Sequence, residues 1–106
     1  MKNNYVRLEG FVGFSPRMTT FENDRSVTRF SLATTDKLKT SDGKMIESKA
    51  WHNIVIWSDP KMPDFSQVQK GSHLTIEGRL KPTVYSTKDG QEIRSYEVVA
   101  AKVKVH

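Results

Sequence analysis

The run Trp51-His52-Asn53-Ile54-Val55-Ile56-Trp57 holds both tryptophans of the chain. Side chains alternate between faces along an extended strand, so Trp51, Asn53, Val55 and Trp57 share one face. Ile54 and Ile56 take the other, the natural core side, and His52 has their parity. Two tryptophans on a non-core face need a partner to cover them. Nucleic-acid bases are suitable, because stacking a base on an aromatic ring is worth roughly 1–3 kcal/mol and tolerates any sequence. Periodicity alone leaves it equally open that this face packs against a helix or another subunit.

A second group lies on the run from Ser72 to Tyr85. Arg79, Lys81, Thr83 and Tyr85 have one parity, opposite to Leu74, Ile76 and Leu80. Two cations and an aromatic ring on one strand face suit a phosphate backbone carrying a stacked base. Glu77 in the same row favours a plain solvated face, and Pro82 can shift the parity of Thr83 and Tyr85. Further cations flank the turns: Lys37, Lys39, Lys44 and Lys49 around the first, Lys88 and Arg94 around the last. Taken singly, each also serves as ordinary solubility charge.

Other chemistry finds little support. His52, His73 and His106 are far apart in sequence and form no H-x-x-x-H motif, so no metal site is expected. No nucleophile elbow, P-loop or paired carboxylates occur, so neither an enzyme nor a cofactor is expected. Asp36, Asp42 and Asp89 stand in turn-like segments, where hydrogen bonding to backbone accounts for them.

The positioning elements are strands. Val6, Leu8, Gly10, Val12 and Phe14 share a parity, with Gly10 and Gly13 marking a bulge or a close backbone approach. Met18 to Phe21 reads as a short return strand and Ser26 to Thr35 as the next full one. Asp36 to Ser48 reads as a charged loop centred on Asp42-Gly43, a strong turn signal. Ala50 to Trp57 follows. A short helix is expected from near Pro63 through Phe65 and Val68, stopped at Lys70-Gly71. Thr87-Lys88-Asp89-Gly90 turns the long strand from Ser72 into a return strand over Ile93 to Val105, and Pro82 demands a bend or an edge. About five strands with one connecting helix fit an all-β Greek-key barrel of the oligonucleotide/oligosaccharide-binding (OB) type.

The whole of residues 1–106 reads as a single domain. Seventeen Lys and Arg against twelve Asp and Glu leave a net charge of +5, a mild bias toward polyanionic partners. At 36% apolar and 27% charged residues the chain is too balanced for a disordered tail. Having no cysteine, it has no disulfide scaffold, Cys-based zinc site or thiol nucleophile. No signal-peptide core follows Met1 and no apolar run is long enough to span a membrane, so a cytoplasmic, nucleoid-associated location is expected.

These segments together resemble the bacterial-type single-stranded-DNA-binding proteins. The likeness runs from Val6 to about Val105. It rests on Phe30-Ser31-Leu32-Ala33-Thr34-Thr35, Trp51-His52-Asn53-Ile54-Val55, Lys70-Gly71-Ser72-His73-Leu74-Thr75-Ile76-Glu77-Gly78-Arg79-Leu80, Lys88-Asp89-Gly90-Gln91 and Tyr96-Glu97-Val98-Val99, in that order. The resemblance implies an OB fold that assembles as a homotetramer (a dimer being the other option). It also implies sequence-independent single-stranded DNA binding in replication, recombination and repair. Trp51 falls on a stacking tryptophan of the family, Trp57 on a stacking phenylalanine and Tyr85 on a position often held by tryptophan. Lys70 and Lys81 match basic positions on the DNA path, and His52 a histidine near a subunit interface. With the loop and strand cations, the expected phosphate contacts are Lys37, Lys49, Lys70, Arg79, Lys81 and Arg94.

The sequence also departs from the pattern. Leu38 stands where many members carry another stacking aromatic, Thr83 and Val84 replace common basic residues, and Pro82 is unusual. Pro60 and Pro63 interrupt a region that is a longer helix in the family. The linker and acidic tail that recruit replication enzymes do not follow Val105. This leaves two expectations, a trimmed chain or a tail-less accessory paralogue, primosomal or phage- or plasmid-encoded, acting mainly through protein contacts.

Overall fold

A computed structural model describes residues 3–58 and 68–106. Six strands form one sheet: β1 (Val6–Val12), β2 (Arg17–Thr20), β3 (Ser26–Lys39), β4 (Met45–Trp57), β5 (His73–Ser86) and β6 (Glu92–Val105). The order is β1-β5-β6-β4-β3-β2, and β1 also pairs with β3, so the five long strands close into a barrel. This is the expected OB-type Greek-key barrel, with β2 as a short extra strand on β3. Between β4 and β6 the pairing is parallel, Ile54 facing Val98 and Val55 facing Val99. The expected helix falls largely on residues 59–67, outside the described residues. Of its later positions, Val68 is buried in the core and Gly71 has φ 90° in the turn that leads into β5.

Strand β1 makes the closure. It pairs with β5 from Val6 to Phe11, then passes to β3 at Phe11 and Val12. The crossing is tight at Gly10, where a Cβ would fall 2.0 Å from the Ala33 carbonyl oxygen. No side chain fits against backbone at that distance, which explains the close approach expected there.

Inward-facing residues fill the barrel with Phe30, Leu32, Ile54, Ile56, Leu74 and Ile76, all almost fully buried, together with Val12, Val68, Val98 and Ala100. Each large member contributes about 1.5–3 kcal/mol of burial. Val55 and Val27 break the simple alternation. Both are buried on the parity expected to face outward.

The two long hairpins extend beyond the barrel. The segment 36–48, expected as a loop, is mostly strand: Asp36 pairs with Ser48, Lys37 with Glu47, Leu38 with Ile46 and Lys39 with Met45. Asp36 therefore stands in a strand and not in a turn. The loop reading failed because charged side chains are acceptable on both faces of an arm that has left the core. The turn itself is Thr40–Lys44, closed by Thr40 N–H donating to Lys44 O at 2.8 Å. Thr87 N–H donates to Gln91 O at 2.8 Å in the same way. Gly43 and Gly90, at φ 84° and 83°, supply the left-handed residue in each.

Pro82 sits opposite Tyr96 in the β5–β6 arm. The Asn4 side-chain amide caps both the N–H and the C=O of Leu80 at 2.9 Å, which shows that this edge of β5 faces away from β6. Two residues on, the Pro82 nitrogen points to the same edge, so its missing donor disturbs no ladder bond. The expected edge position is met.

Candidate functional site

The outer face of the barrel carries a groove of about 640 Å³. One wall comes from the segment joining β1 to β3, with Phe14, Arg17 and Thr19. The floor comes from Arg29, Asn53 and Val55, and the other wall from Thr83, Tyr85, Ser95 and Glu97. Cross-strand register explains the convergence. Arg29 lies opposite Val55, Thr83 opposite Ser95 and Tyr85 opposite Ile93, and directly opposed residues share a face.

Trp51 stands on this outer face beside the groove and is 63% exposed. It faces Ala33 across the hairpin. The chain after β1 runs beneath its ring, because a Cβ at Gly13 would fall 2.2 Å from Trp51 Cζ3 and 2.5 Å from Ser31 Oγ. Gly13 N–H donates to Ser31 O at 2.9 Å and holds that approach. The ring thus has a backed side and an open side.

Trp57, six residues further along β4 and about 20 Å away by strand rise, is half-buried. Phe21 stacks on it with centroids 6.0 Å apart and planes at 27°, and the Arg25 guanidinium lies 5.0 Å from its centroid. Tyr85, 55% exposed, lines the groove. The three expected stacking residues therefore share one face in three settings: Trp51 open, Trp57 already flanked, Tyr85 in a wall.

The expected cations divide. Arg79 and Lys81 lie opposite Val99 and Glu97 on the same outer face as Tyr85. Lys37 and Lys49 share the outer face of the β3–β4 arm with Trp51, and Lys37 Nζ lies 3.8 Å from Glu47. Lys70 is exposed in the turn before β5. Arg94 pairs with Val84 on the opposite face of its hairpin from Tyr85, so the structure does not bring it to the groove. Leu38 likewise pairs with Ile46 on the face of its arm away from Lys37. His52 has the expected inward parity; its Nε2 lies 2.9 Å from Thr34 Oγ1 in a half-buried position.

Sequence reasoning missed Phe14, Arg17, Arg25 and Arg29. Arg17 lies 5.9 Å over the Phe14 ring, and Arg29 Nη1 donates to Glu97 Oε1 at 3.0 Å. For Arg29 a signal existed, since it alternates with Phe30 and so faces outward. Alternation put Phe14 on the inward parity of Val12, but β1 ends at Val12 and Phe14 is exposed on the groove wall. Arg17 and Arg25 lie beyond that end, where the parity of β1 gives no guide. The structure also brings together His73 and His106, which the sequence separates by a whole hairpin: their rings stack at 4.3 Å.

The model of the Single-strand binding protein family matches residues 3–106. A single-stranded DNA-binding protein of Neisseria meningitidis serogroup A is 31% identical over 105 residues, covering 99% of this chain and 60% of that protein. One from Rickettsia conorii is 39% identical over 100 residues, covering 91% and 64%. The chain thus spans less than two thirds of the length of these curated relatives. Among solved structures, a Plasmodium falciparum SSB in complex with ssDNA superposes with a TM-score of 0.87 at 22% identity, covering 100% of this chain and 96% of that one. A deletion mutant of the Thermus aquaticus single-stranded DNA binding protein gives 0.81 at 19%, covering 97% and 50%. These two share the fold. On the family match across nearly its whole length, the chain belongs to the single-strand binding protein family.

Proposed function

We propose that this domain binds single-stranded DNA without sequence preference and protects it during replication, recombination and repair. The observation that carries the reading is the outer-face groove, bounded by Phe14 and Tyr85 and floored by Arg29, with Trp51 open beside it. Bases stack on Trp51, Tyr85 and Trp57, where each good stack is worth roughly 1–3 kcal/mol. Lys37, Lys49, Arg79 and Lys81 on the same face, with Lys70, neutralise phosphates, and Arg94, on the far face of its hairpin, does so only where the strand wraps around that arm. Arg17 joins them, while Arg29 on the floor is held by Glu97. The domain acts as a binding module, not an enzyme, and works in the cytoplasm.

Assembly as a homotetramer is part of the reading. Leu80, Val84 and Tyr96 on one hairpin, and Leu38, Met45 and Ile46 on the other, are exposed in the single chain. Copies of the same chain would cover that apolar surface, and His52 belongs near such an interface. Light scattering at several concentrations reads the mass directly; a monomer throughout would remove this part of the proposal.

The test of binding is a tryptophan-fluorescence titration with oligo(dT) at several salt concentrations. Quenching is expected, with log K falling by about 0.7 per neutralised phosphate for each log unit of salt. Unchanged fluorescence at saturating oligonucleotide would overturn the stacking arrangement. No binding at all would overturn the function.

A further inference from the structure

We propose that Glu9, His73 and His106 form a site for a divalent transition-metal ion of the zinc class, separate from the groove. The topology assembles it from three strands. Glu9 on β1 lies opposite Thr75 on β5, two residues after His73. His106 follows the last residue of β6, and its N–H donates to His73 O at 3.0 Å, which fixes the chain end beside β5. All three side chains stand on the outward row, since Leu8, Gly10, Leu74 and Ile76 between them face the core.

The donor atoms converge. His73 Nε2 lies 3.9 Å from Glu9 Oε2 and His106 Nε2 lies 3.8 Å from Glu9 Oε1, and one donor atom from each residue fits within 4.8 Å of the others. A tetrahedral zinc ion with ligands near 2.0–2.1 Å holds them about 3.4 Å apart. Closing that difference takes small shifts of the donor atoms together with a reorientation of the imidazole rings. The rings now stack at 4.3 Å with planes 30° apart, so their nitrogens lie side by side. Capture of a metal requires a ring rotation that breaks this stack.

The surroundings resemble the support that metal ligands receive elsewhere. Thr75, itself buried, places Oγ1 2.6 Å from His106 Nε2 and 3.3 Å from Glu9 Oε1. When a metal takes the His106 nitrogen, the Thr75 hydroxyl remains to hold the Glu9 carboxylate, a role that outer partners commonly play. The Phe11 ring stacks on His73 at 4.8 Å and restricts its motion. Two imidazoles and one carboxylate favour zinc, nickel, cobalt or copper over magnesium or calcium. Arg7, Lys102 and Lys104 near this row oppose a cation and Glu77 favours one, so the affinity is moderate. The fourth position stays open to water or to a donor from another molecule. None of the three ligands lines the groove.

The experiment is isothermal titration of the intact chain with zinc chloride at neutral pH, beside magnesium chloride. One zinc ion per chain and no saturable magnesium binding are expected. Glu9→Gln at an exposed position and His73→Ala at a half-buried one abolish zinc binding, and Thr75→Val weakens it by about tenfold. His52→Gln leaves it intact. Circular dichroism confirms that each variant is folded, and NMR shows the His73 and His106 ring signals moving while that of His52 does not. Undiminished zinc binding by folded His73→Ala, saturable magnesium binding of equal strength, or no zinc binding by the parent chain would each overturn the site.

Discussion

Arg29 donates from Nη1 to Glu97 Oε1 at 3.0 Å across the floor of the groove, joining β3 to β6 over the intervening β4. The pair puts a carboxylate where the proposed DNA strand passes, and it holds the guanidinium that would otherwise meet a phosphate. Glu97→Gln keeps the shape and removes the charge. The expected result is single-stranded DNA binding tighter by about three- to tenfold, or roughly 0.6–1.4 kcal/mol. The salt slope steepens by about 0.7 as one more phosphate is neutralised. Stability changes by less than about 1 kcal/mol, since partly exposed ion pairs contribute little. Weaker binding by this variant would mean that Glu97 orients Arg29 for the strand instead of competing for it.

Trp51 and Trp57 share a face, yet their surroundings assign them different work. Trp51 has an open side, so Trp51→Ala costs binding about 1–3 kcal/mol, with little change in melting temperature. Trp57 already stacks on Phe21 and carries Arg25. Its replacement by alanine removes internal ring contacts and lowers stability by about 1 kcal/mol, with a smaller loss of binding than at Trp51. Equal effects on affinity would show that a strand displaces Phe21 and uses both rings alike.

Legibility in the sequence followed the core. Phe30, Leu32, Ile54, Ile56, Leu74 and Ile76 lie inward as alternation predicts, and with them the barrel and the outward rank of Trp51, Arg79, Lys81 and Tyr85. Where strands leave the core, alternation loses its physical cause, and the arm from Asp36 to Lys39 therefore read as loop. Val55 and Val27 had outward parity but lie buried, because burial on the outer face depends on which segment crosses it. Arg17 and Phe14 depend on that same crossing segment. His73 and His106 meet only through the β5–β6 register, a long-range fact that local spacing does not contain.

Gly10 and Gly13 offer a matched contrast between fold and site. At Gly10 an added Cβ meets the Ala33 carbonyl oxygen at 2.0 Å, and backbone cannot step aside. Gly10→Ala therefore opens the β1–β3 closure and destabilises the barrel by about 1–3 kcal/mol or more. At Gly13 the added atom meets the Trp51 ring and the Ser31 hydroxyl, both side-chain groups. Gly13→Ala is expected to keep most of the melting temperature while displacing Trp51 and weakening DNA binding. Thermal melts and oligo(dT) titrations of the two variants separate these effects, and a Gly13→Ala protein with parental affinity would show that the Trp51 position over the backbone is immaterial.

The hairpin tips predict an acid response. The Thr40 hydroxyl, then the Lys44 N–H, hold the Asp42 carboxyl below its ordinary value of 3.8. At the other tip the Thr87 hydroxyl leads, followed by the N–H groups of Asp89 itself and of Gln91, in lowering Asp89. A carboxyl whose pKa is depressed by folding favours the folded state fully above its unfolded value, and that contribution disappears as pH falls through the depressed value. Both carboxyls are exposed to solvent, so the effect is small. Replacing Thr40 and Thr87 together with valine removes the leading cause at each tip. The double variant should melt below the parent at neutral pH, and the gap should narrow as the pH is taken below 3.8, where both proteins lose the charge. It does not close completely, because once the carboxyls are protonated the single hydroxyl proton of Thr40 still has Lys44 O at 3.1 Å to donate to, and that of Thr87 has Gln91 O at 3.3 Å, acceptors that do not titrate. A gap that stays constant from neutral to acid pH would assign the whole effect to those carbonyl contacts and none to the aspartates.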